Sequence, residues 1–476
     1  MRRWRRGWSR RRWWRSGPHC PTDRCWCCCW PSRRRWRACS APPAWCCCAG
    51  RGGRGRCNTR WRSGRGGSAP VRIDAGVLAA GTGLFAALLH FAGALKSLPG
   101  LAALPVDLTL LATLLLAPSL LLLLALRDWE VQRGVALPLA GFAGLLVWLV
   151  LAGAWSGSRT VLAEKLPQVV LLGPAMLAAG LLVGADGPTL RRFVAAVVPI
   201  GLLVGAGIAW GLARDAVVLG GEAGADPVRI RVQYQLAGLA IACAGGLAAV
   251  RLTEAAGWAR LGWGLAVLAL AAASLVPGGR AAALGLGLGL GGAPALRFWL
   301  LRRPRAALGW LAGVALAGAG GLALLLAMPE EVAIFRTIDR FFGDPAEATP
   351  ARILLWGEAL RWAGEAAPFG LGTGGFTLAA GSGDDRSLHP HNHALEMLAE
   401  AGLPGFACWL LAFGGGVGLA LLRAPLVAPG RAARIAALTL PVALTAMVST
   451  DLGNRMVWFA LGLLLSLGVE ARERHV

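Results

Sequence analysis

The sequence predicts an all-α integral membrane protein of about twelve transmembrane helices, with one large, partly helical loop between the ninth and tenth spans. Three observations carry this prediction. The 476 residues are 56% hydrophobic and only 15% charged. Apolar runs near twenty residues long recur along the chain, which is the length needed to cross a hydrocarbon layer about 30 Å thick. One stretch, 329–401, interrupts these runs with a long polar segment.

The formal net charge of +23 would suit a partner of nucleic acid or anionic lipid, but it is unevenly placed. Residues 1–70 hold 19 basic residues and one acid, Asp23, so they contribute +18 of it. The rest of the chain holds 29 bases against 24 acids, and no nucleic-acid partner is expected of it. The same first 70 residues carry ten of the twelve cysteines and nine of the 21 tryptophans, and no Leu, Ile, Lys, Glu or Phe. That composition cannot build an aliphatic core, and adjacent cysteines as in "RCWCCCW" lack the separated ligand pairs of a zinc site. No apolar run resembles a secretory signal. This Arg/Trp/Cys-rich segment is expected to come from a misassigned start, with the protein beginning near Val71; the rival reading is a basic cytoplasmic tail that binds headgroups or RNA. The remaining cysteines, Cys243 and Cys408, lie in apolar runs and imply no disulfide framework.

From residue 75 the spans fall near 75–95, 104–126, 135–154, 166–184, 190–213, 232–250, 258–276, 281–301, 307–328, 402–422, 431–449 and 455–469. This divides the chain into a block of nine spans (71–328), a loop (329–401), and three spans with a short tail (402–476). The glycine-rich "LGLGLGLGG" at 284–292 offers small residues for close helix packing rather than a phosphate loop. If the first helix runs outward, the inner loops and C-terminus hold fifteen arginines and the opposite short loops hold eight bases. The positive-inside rule then places both termini in the cytoplasm and the long loop outside.

That loop shows signs of order. In "ATPARILLWGEALRWAGEAAPFG", Thr349 reads as an N-cap, Pro350 as the first helical residue and Pro368 as a stop. Ile353, Trp356 and Leu360 share one face, as an amphipathic helix on the bundle or membrane surface requires. "FGLGTGGF" reads as a flexible turn leading to "SLHPHNHALEMLAEAGLPGF".

This last stretch carries His389, His391 and His393. On an extended strand all three would share a face, with Glu396 and Glu400 available to complete a metal site. However, the residues from Ala394 to Ala401 favour helix and Gly402 stops it. Pro390 forces His389 into an extended conformation, so the three rings should diverge. No H-E-x-x-H spacing is present, and no metal or other cofactor is expected. A capped surface helix, or one histidine serving as a base, remains open.

An anionic partner would need cations on the same face. Arg280 stands where the seventh and eighth spans meet, and Arg229 and Arg231 precede the sixth. Guanidinium groups clamp diphosphate oxygens in bidentate fashion and keep their charge, although an arginine at a membrane margin also snorkels to headgroups. An imidazole near them could take a proton from an attacking hydroxyl.

His391, Asn392, nine residues, then Gly402, Leu403, Pro404 and Gly405 resemble the H-[NSQ]-x9-G-x-x-[GTY] signature of the bacterial O-antigen ligase family. Arg280 and Leu284 are similar to that family's R-x3-L motif. The resemblance implies a metal-independent, inverting glycosyl transfer, without cofactor, at the periplasmic face of the bacterial inner membrane. The donor would be an undecaprenyl-diphosphate-linked glycan, and the acceptor lipid A core. It implies Arg280, with Arg231 or its near neighbour Arg229, as diphosphate ligands and His391 as the base. Asn392, His389, His393 and Arg352 become supporting or substrate-contacting residues, and Trp356 could cover the site. A polymerase or a protein O-oligosaccharyltransferase of the same superfamily shares these motifs. A transporter is the alternative of another class, disfavoured because the charges sit at span ends.

Overall fold

The computed structural model describes residues 75–219, 230–327 and 349–473. The segment 1–70, Arg229 and the first part of the loop lie outside the described residues. The helices in chain order are α1 (Ala75–His90), α2 (Leu108–Leu126), α3 (Arg133–Trp155), α4 (Arg159–Ala185), α5 (Gly187–Ala213), α6 (Tyr234–Glu254), α7 (Trp258–Ser274), α8 (Arg280–Leu300), α9 (Pro304–Leu326), α10 (Thr349–Glu365), α11 (His393–Leu426), α12 (Pro429–Val448) and α13 (Arg455–Gly468). Among the described residues, nine are long and apolar enough to cross a membrane. The apolar α1, α7 and α13 are shorter, and stand where the sequence predicts the first, seventh and twelfth spans.

Polar caps fix where these helices start. Asp107 accepts hydrogen bonds from the Thr109 and Leu110 amides at 2.7 and 3.0 Å, Ser158 from Val161, Asp186 from Thr189, and Asn454 from Met456. Each satisfies amides that the first turn leaves without helical partners. Between the caps, small residues set the spacing. A Cβ on Gly180 would lie 2.1 Å from the Phe459 carbonyl oxygen, and one on Gly462 would lie 2.1 Å from that of Leu177, so α4 and α13 touch backbone to backbone. The glycine-rich start of α8 does the same work: Gly285 faces Pro441 on α12 and Gly289 faces Gly246 on α6.

The bundle is centred on α6, whose apolar window is 78% buried, whereas none of the window of α9 is. Leucines on α2 and α9, among them Leu114, Leu121 and Leu316, point outward. Such a surface is stable against hydrocarbon and not against water.

Two features depart from the predicted architecture. The all-α expectation missed two short sheets: β1 (Arg127–Val131) pairs antiparallel with β4 (Val469–Glu473), and β2 (Val217–Leu219) pairs parallel with β3 (Ile230–Val232). Both are built of strands of three to five residues at span ends, too brief to stand out beside twenty-residue apolar runs. The predicted tenth span also begins earlier, because the helix from His393 continues past Gly402 with a break at that residue.

Candidate functional site

The site is built on the junction between the loop and α11. Gly402 has φ 62°, in the left-handed region that favours glycine, and a Cβ there would meet the Pro368 carbonyl oxygen at 2.2 Å. The Leu403 amide donates to that same carbonyl at 2.8 Å. Across the contact, a Cβ on Gly370 would lie 2.5 Å from the Gly402 nitrogen. Gly405 meets Trp148 of α3, whose indole N–H donates to the Ala401 carbonyl at 2.7 Å. Gly402 therefore acts by close approach of backbones, and Gly405 by leaving room for the Trp148 indole. "FGLGTGGF" is correspondingly not the flexible turn expected: residues 372–376 are buried, and the Leu371 and Gly372 amides donate to the Ala399 and Glu400 carbonyls. Its glycines stand where a side chain has no room: a Cβ on Gly372 would lie 2.7 Å from the Ser156 backbone and one on Gly375 2.6 Å from the Leu371 carbonyl oxygen.

Helix α10 lies over this junction, and the stripe of Ile353 and Leu360 is not the face that meets the bundle. Ile353 and Leu360 are exposed, while Ala359 is buried against Phe376 and Ala399, with Leu355 and Trp362 alongside. Trp356 is common to both readings, and its indole N–H donates to the Pro390 carbonyl at 2.8 Å. The small Ala359 lets the helix approach Phe376 and Ala399 closely, with Leu371 and Leu395 completing the contact.

Asn392 caps α11, its side-chain oxygen accepting from the Ala394 and Leu395 amides at 3.0 and 3.1 Å. Just before it, His391 adopts φ 54°. This left-handed turn brings the His389 and His391 rings together, 4.0 Å between centroids, where the sequence predicts divergence. His389 is extended before Pro390 as expected. Only His393 turns away: its buried Nε2 donates to the Asp451 carbonyl at 2.7 Å.

The histidine pair is held from below. The His389 Nδ1–H donates to the Arg386 carbonyl at 3.1 Å, and the Arg386 guanidinium donates to Asp451 Oδ2 at 3.1 and 2.6 Å and to Gln168 at 2.8 Å. Beneath them Lys165 pairs with Glu396, and with Glu400 at 2.5 Å. Glu396 also accepts from the Leu452 amide, and Glu400 from the Gly374 amide. Those two glutamates are thus committed to a lysine and to backbone. Among the described residues, no group of three His, Cys, Asp or Glu is arranged to hold a metal ion.

Burial is the main reason that the His391 pKa is pushed down to about 3, with His389 and the Arg352 charge adding to it. His389 is lowered for the same first reason. Burial would raise Asp451, but His389, Arg386 and Lys165 outweigh it and hold the carboxyl at about 2. The site therefore presents neutral imidazoles beside an ionised carboxylate at neutral pH. His391 Nδ1 and His389 Nε2 are buried without a hydrogen-bond partner among the described residues.

Both rings line a cavity of about 1000 Å³. Lys96, Arg231, Arg386 and Arg455 also line it, and among the described residues Asp451 is its one carboxylate. Two cations are matched, Lys96 by Asp107 at 2.7 Å and Arg386 by Asp451. The lining keeps a net positive charge, suited to an anionic ligand. Of the predicted arginines, Arg231 is on this wall. Arg280 opens α8 and is not among the lining residues, although Gly279 before it stands beside Tyr234, which is. Arg352 acts on His391 through its charge.

Sequence reasoning passed over Lys165, Arg386, Asp451 and Arg455. Two signals could have found them. Lys96 and Lys165 are the only lysines in a chain of 48 basic residues. "STDLGNR", 449–455, is a polar run between two apolar spans on the predicted outer side.

An apolar helical bundle around a positively charged cavity, edged by a half-buried imidazole pair, is that of a polytopic membrane protein. Residues 264–410 match the family model described as O-Antigen ligase. The match runs from α7 into α11 and takes in Arg280, the histidines and both motif glycines. It supports a membrane glycosyltransferase-like enzyme with glycan and lipid-linked substrates in general. Comparison with curated proteins gives no match.

Proposed function

We propose that the protein transfers a glycan, with inversion, from an undecaprenyl-diphosphate carrier to lipid A core at the periplasmic face of the bacterial inner membrane, with both termini in the cytoplasm. The observation that carries this reading is the shared cavity, whose lining includes both His391 and Arg231. The acceptor hydroxyl attacks the anomeric carbon, and its proton passes to His391 as the new C–O bond forms. The bond from that carbon to the diphosphate oxygen breaks, and the diphosphate leaves with the electron pair. Arg231 and Arg280, with Arg229 beside Arg231 in sequence, hold the diphosphate and stabilise the charge gathering on it. No metal or other cofactor takes part in this scheme.

An imidazole pushed down to about 3 is neutral but a weak base. A bound diphosphate supplies the missing negative charge, which raises that pKa toward the range where a base works best. Substrate binding and base activation are then one event.

Complementation of a ligase-deficient strain tests the proposal. Wild type should restore capped lipopolysaccharide, and His391→Ala and Arg280→Ala should not, at normal membrane levels. Longer free glycan without capping would indicate a polymerase, glycan on protein an oligosaccharyltransferase, and full activity of His391→Ala would remove the base.

A further inference from the structure

We propose that the end of the cavity formed by His90, Phe91, Gly93 and Arg455 is a sugar-binding subsite, where the His90 imidazole hydrogen-bonds a hydroxyl of the glycan. The inference rests on the transferase reading above and adds a ligand contact to it.

His90 ends α1 and is 1% exposed, with its ring centroid 4.6 Å from that of Phe91, 4.4 Å from Phe459 and 6.1 Å from Phe193. It borders the cavity. Neither Nδ1 nor Nε2 has a hydrogen-bond partner among the described residues. The other three described histidines differ, since His389, His391 and His393 each engage a backbone carbonyl, of Arg386, Ser449 and Asp451 respectively. Buried polar groups nearly always find partners, and an apolar side chain would fill an aromatic pocket without that cost. Packing alone therefore does not account for an imidazole here. A ligand that enters the cavity does.

The chemistry of the ring selects the ligand. A neutral imidazole offers one N–H donor and one bare acceptor nitrogen. A sugar hydroxyl both donates and accepts, so it can satisfy either nitrogen, whereas a diphosphate supplies acceptors only. Gly93 shapes the adjoining wall, because a Cβ there would come within 2.5 Å of Leu236 and 3.5 Å of the Arg455 guanidinium. The cavity, at about 1000 Å³, stands at the upper end of the range for small-molecule sites and can hold sugar as well as diphosphate. The sugar could belong to the donor or to the acceptor, and the hydroxyl chemistry is common to both.

The full-length protein in detergent is titrated calorimetrically with three probes: farnesyl diphosphate, farnesyl-diphosphate-linked N-acetylglucosamine, and lipopolysaccharide lacking its O-chain. His90→Phe keeps an aromatic ring in the pocket, and His90→Asn keeps a hydrogen-bonding group near the position of Nδ1. The expected result is that His90→Phe unfolds at or above the wild-type temperature and binds farnesyl diphosphate as wild type does. It loses about tenfold in affinity for one sugar-bearing probe, and His90→Asn recovers part of the loss. The probe that is weakened identifies the source of the sugar. Equal binding of every probe by wild type and His90→Phe overturns the subsite and leaves the transferase reading intact. An equal loss for bare farnesyl diphosphate also overturns it, since the residue would then read phosphate. Wild-type protein that binds none of the three overturns both.

Discussion

His389 and His391 stand with their ring centroids 4.0 Å apart on either side of Pro390, because His391 takes a left-handed backbone conformation. A β-branched or bulky residue would be strained there, whereas asparagine tolerates it. His391→Asn is thus the cleanest removal of the imidazole. It should express and unfold as wild type does, yet lose about 10²–10⁴-fold in transfer rate, the usual worth of a positioned acid–base group. Capped lipopolysaccharide formed per unit of membrane protein measures this, and a loss below tenfold would deny His391 the role of base.

Stability should fall with acid over a defined window. The folded pKa of His391 is about 3, below the unfolded value near 6.5, so between these limits the unfolded chain takes up a proton that the folded chain refuses. The lowered His389 acts in the same direction. Stability is therefore full above about pH 6.5 and declines as pH drops toward 3. Thermal unfolding in detergent between pH 7 and 4 should show that decline, with a shallower slope in His391→Asn.

Lys165 sits between two buried carboxylates. Its replacement by methionine leaves Glu396 and Glu400 uncompensated and should cost about 3–5 kcal/mol. The triple variant with Glu396→Gln and Glu400→Gln should regain much of that, as judged by the unfolding temperature. A Lys165→Met protein as stable as wild type would show that the charges are relieved some other way.

Gly402→Ala combines a left-handed backbone with a Cβ placed 2.2 Å from the Pro368 carbonyl oxygen. Backbone must move, so the variant should be severely destabilised and scarce in membranes. Gly357→Ala, on α10 with nothing within 4 Å of its added Cβ, should be tolerated and serves as the control.

Arg231 is exposed on β3 and lines the cavity, so Arg231→Ala should leave folding unchanged. Transfer should weaken through a raised KM for the donor, and more so at high salt, where the remaining cations are screened. An unchanged KM would move diphosphate binding to the other cations.

Hydropathy alone located the apolar helices, because a span must be apolar along its whole length whatever it packs against. The H-N-x9-G-x-x-G spacing located the α11 junction for a similar reason, since both ends of that interval are fixed by local backbone geometry. What could not be read was every partnership across the bundle. Lys165 and Glu400 are 235 residues apart, and Arg386 and Asp451 are 65 apart. Nothing local in either sequence neighbourhood announces the other. Which face of α10 meets the bundle was not legible either, because Phe376 and Ala399, which receive it, are likewise remote in sequence.

The segment between Asn392 and Gly402 behaves as a ruler. Its upper end is pinned by the cap that follows His391, and its lower end by the backbone contact of Gly402 with Pro368 and Gly370. Each residue of helix adds about 1.5 Å and turns the chain by about 100°. Inserting one alanine within 394–401 would keep every residue named above, yet swing the imidazole pair out of the cavity wall. Apart from His393, Glu396 and Glu400, which are tied to Asp451 and Lys165, the intervening positions are constrained in number more than in identity, which makes their count a quantity that the site measures.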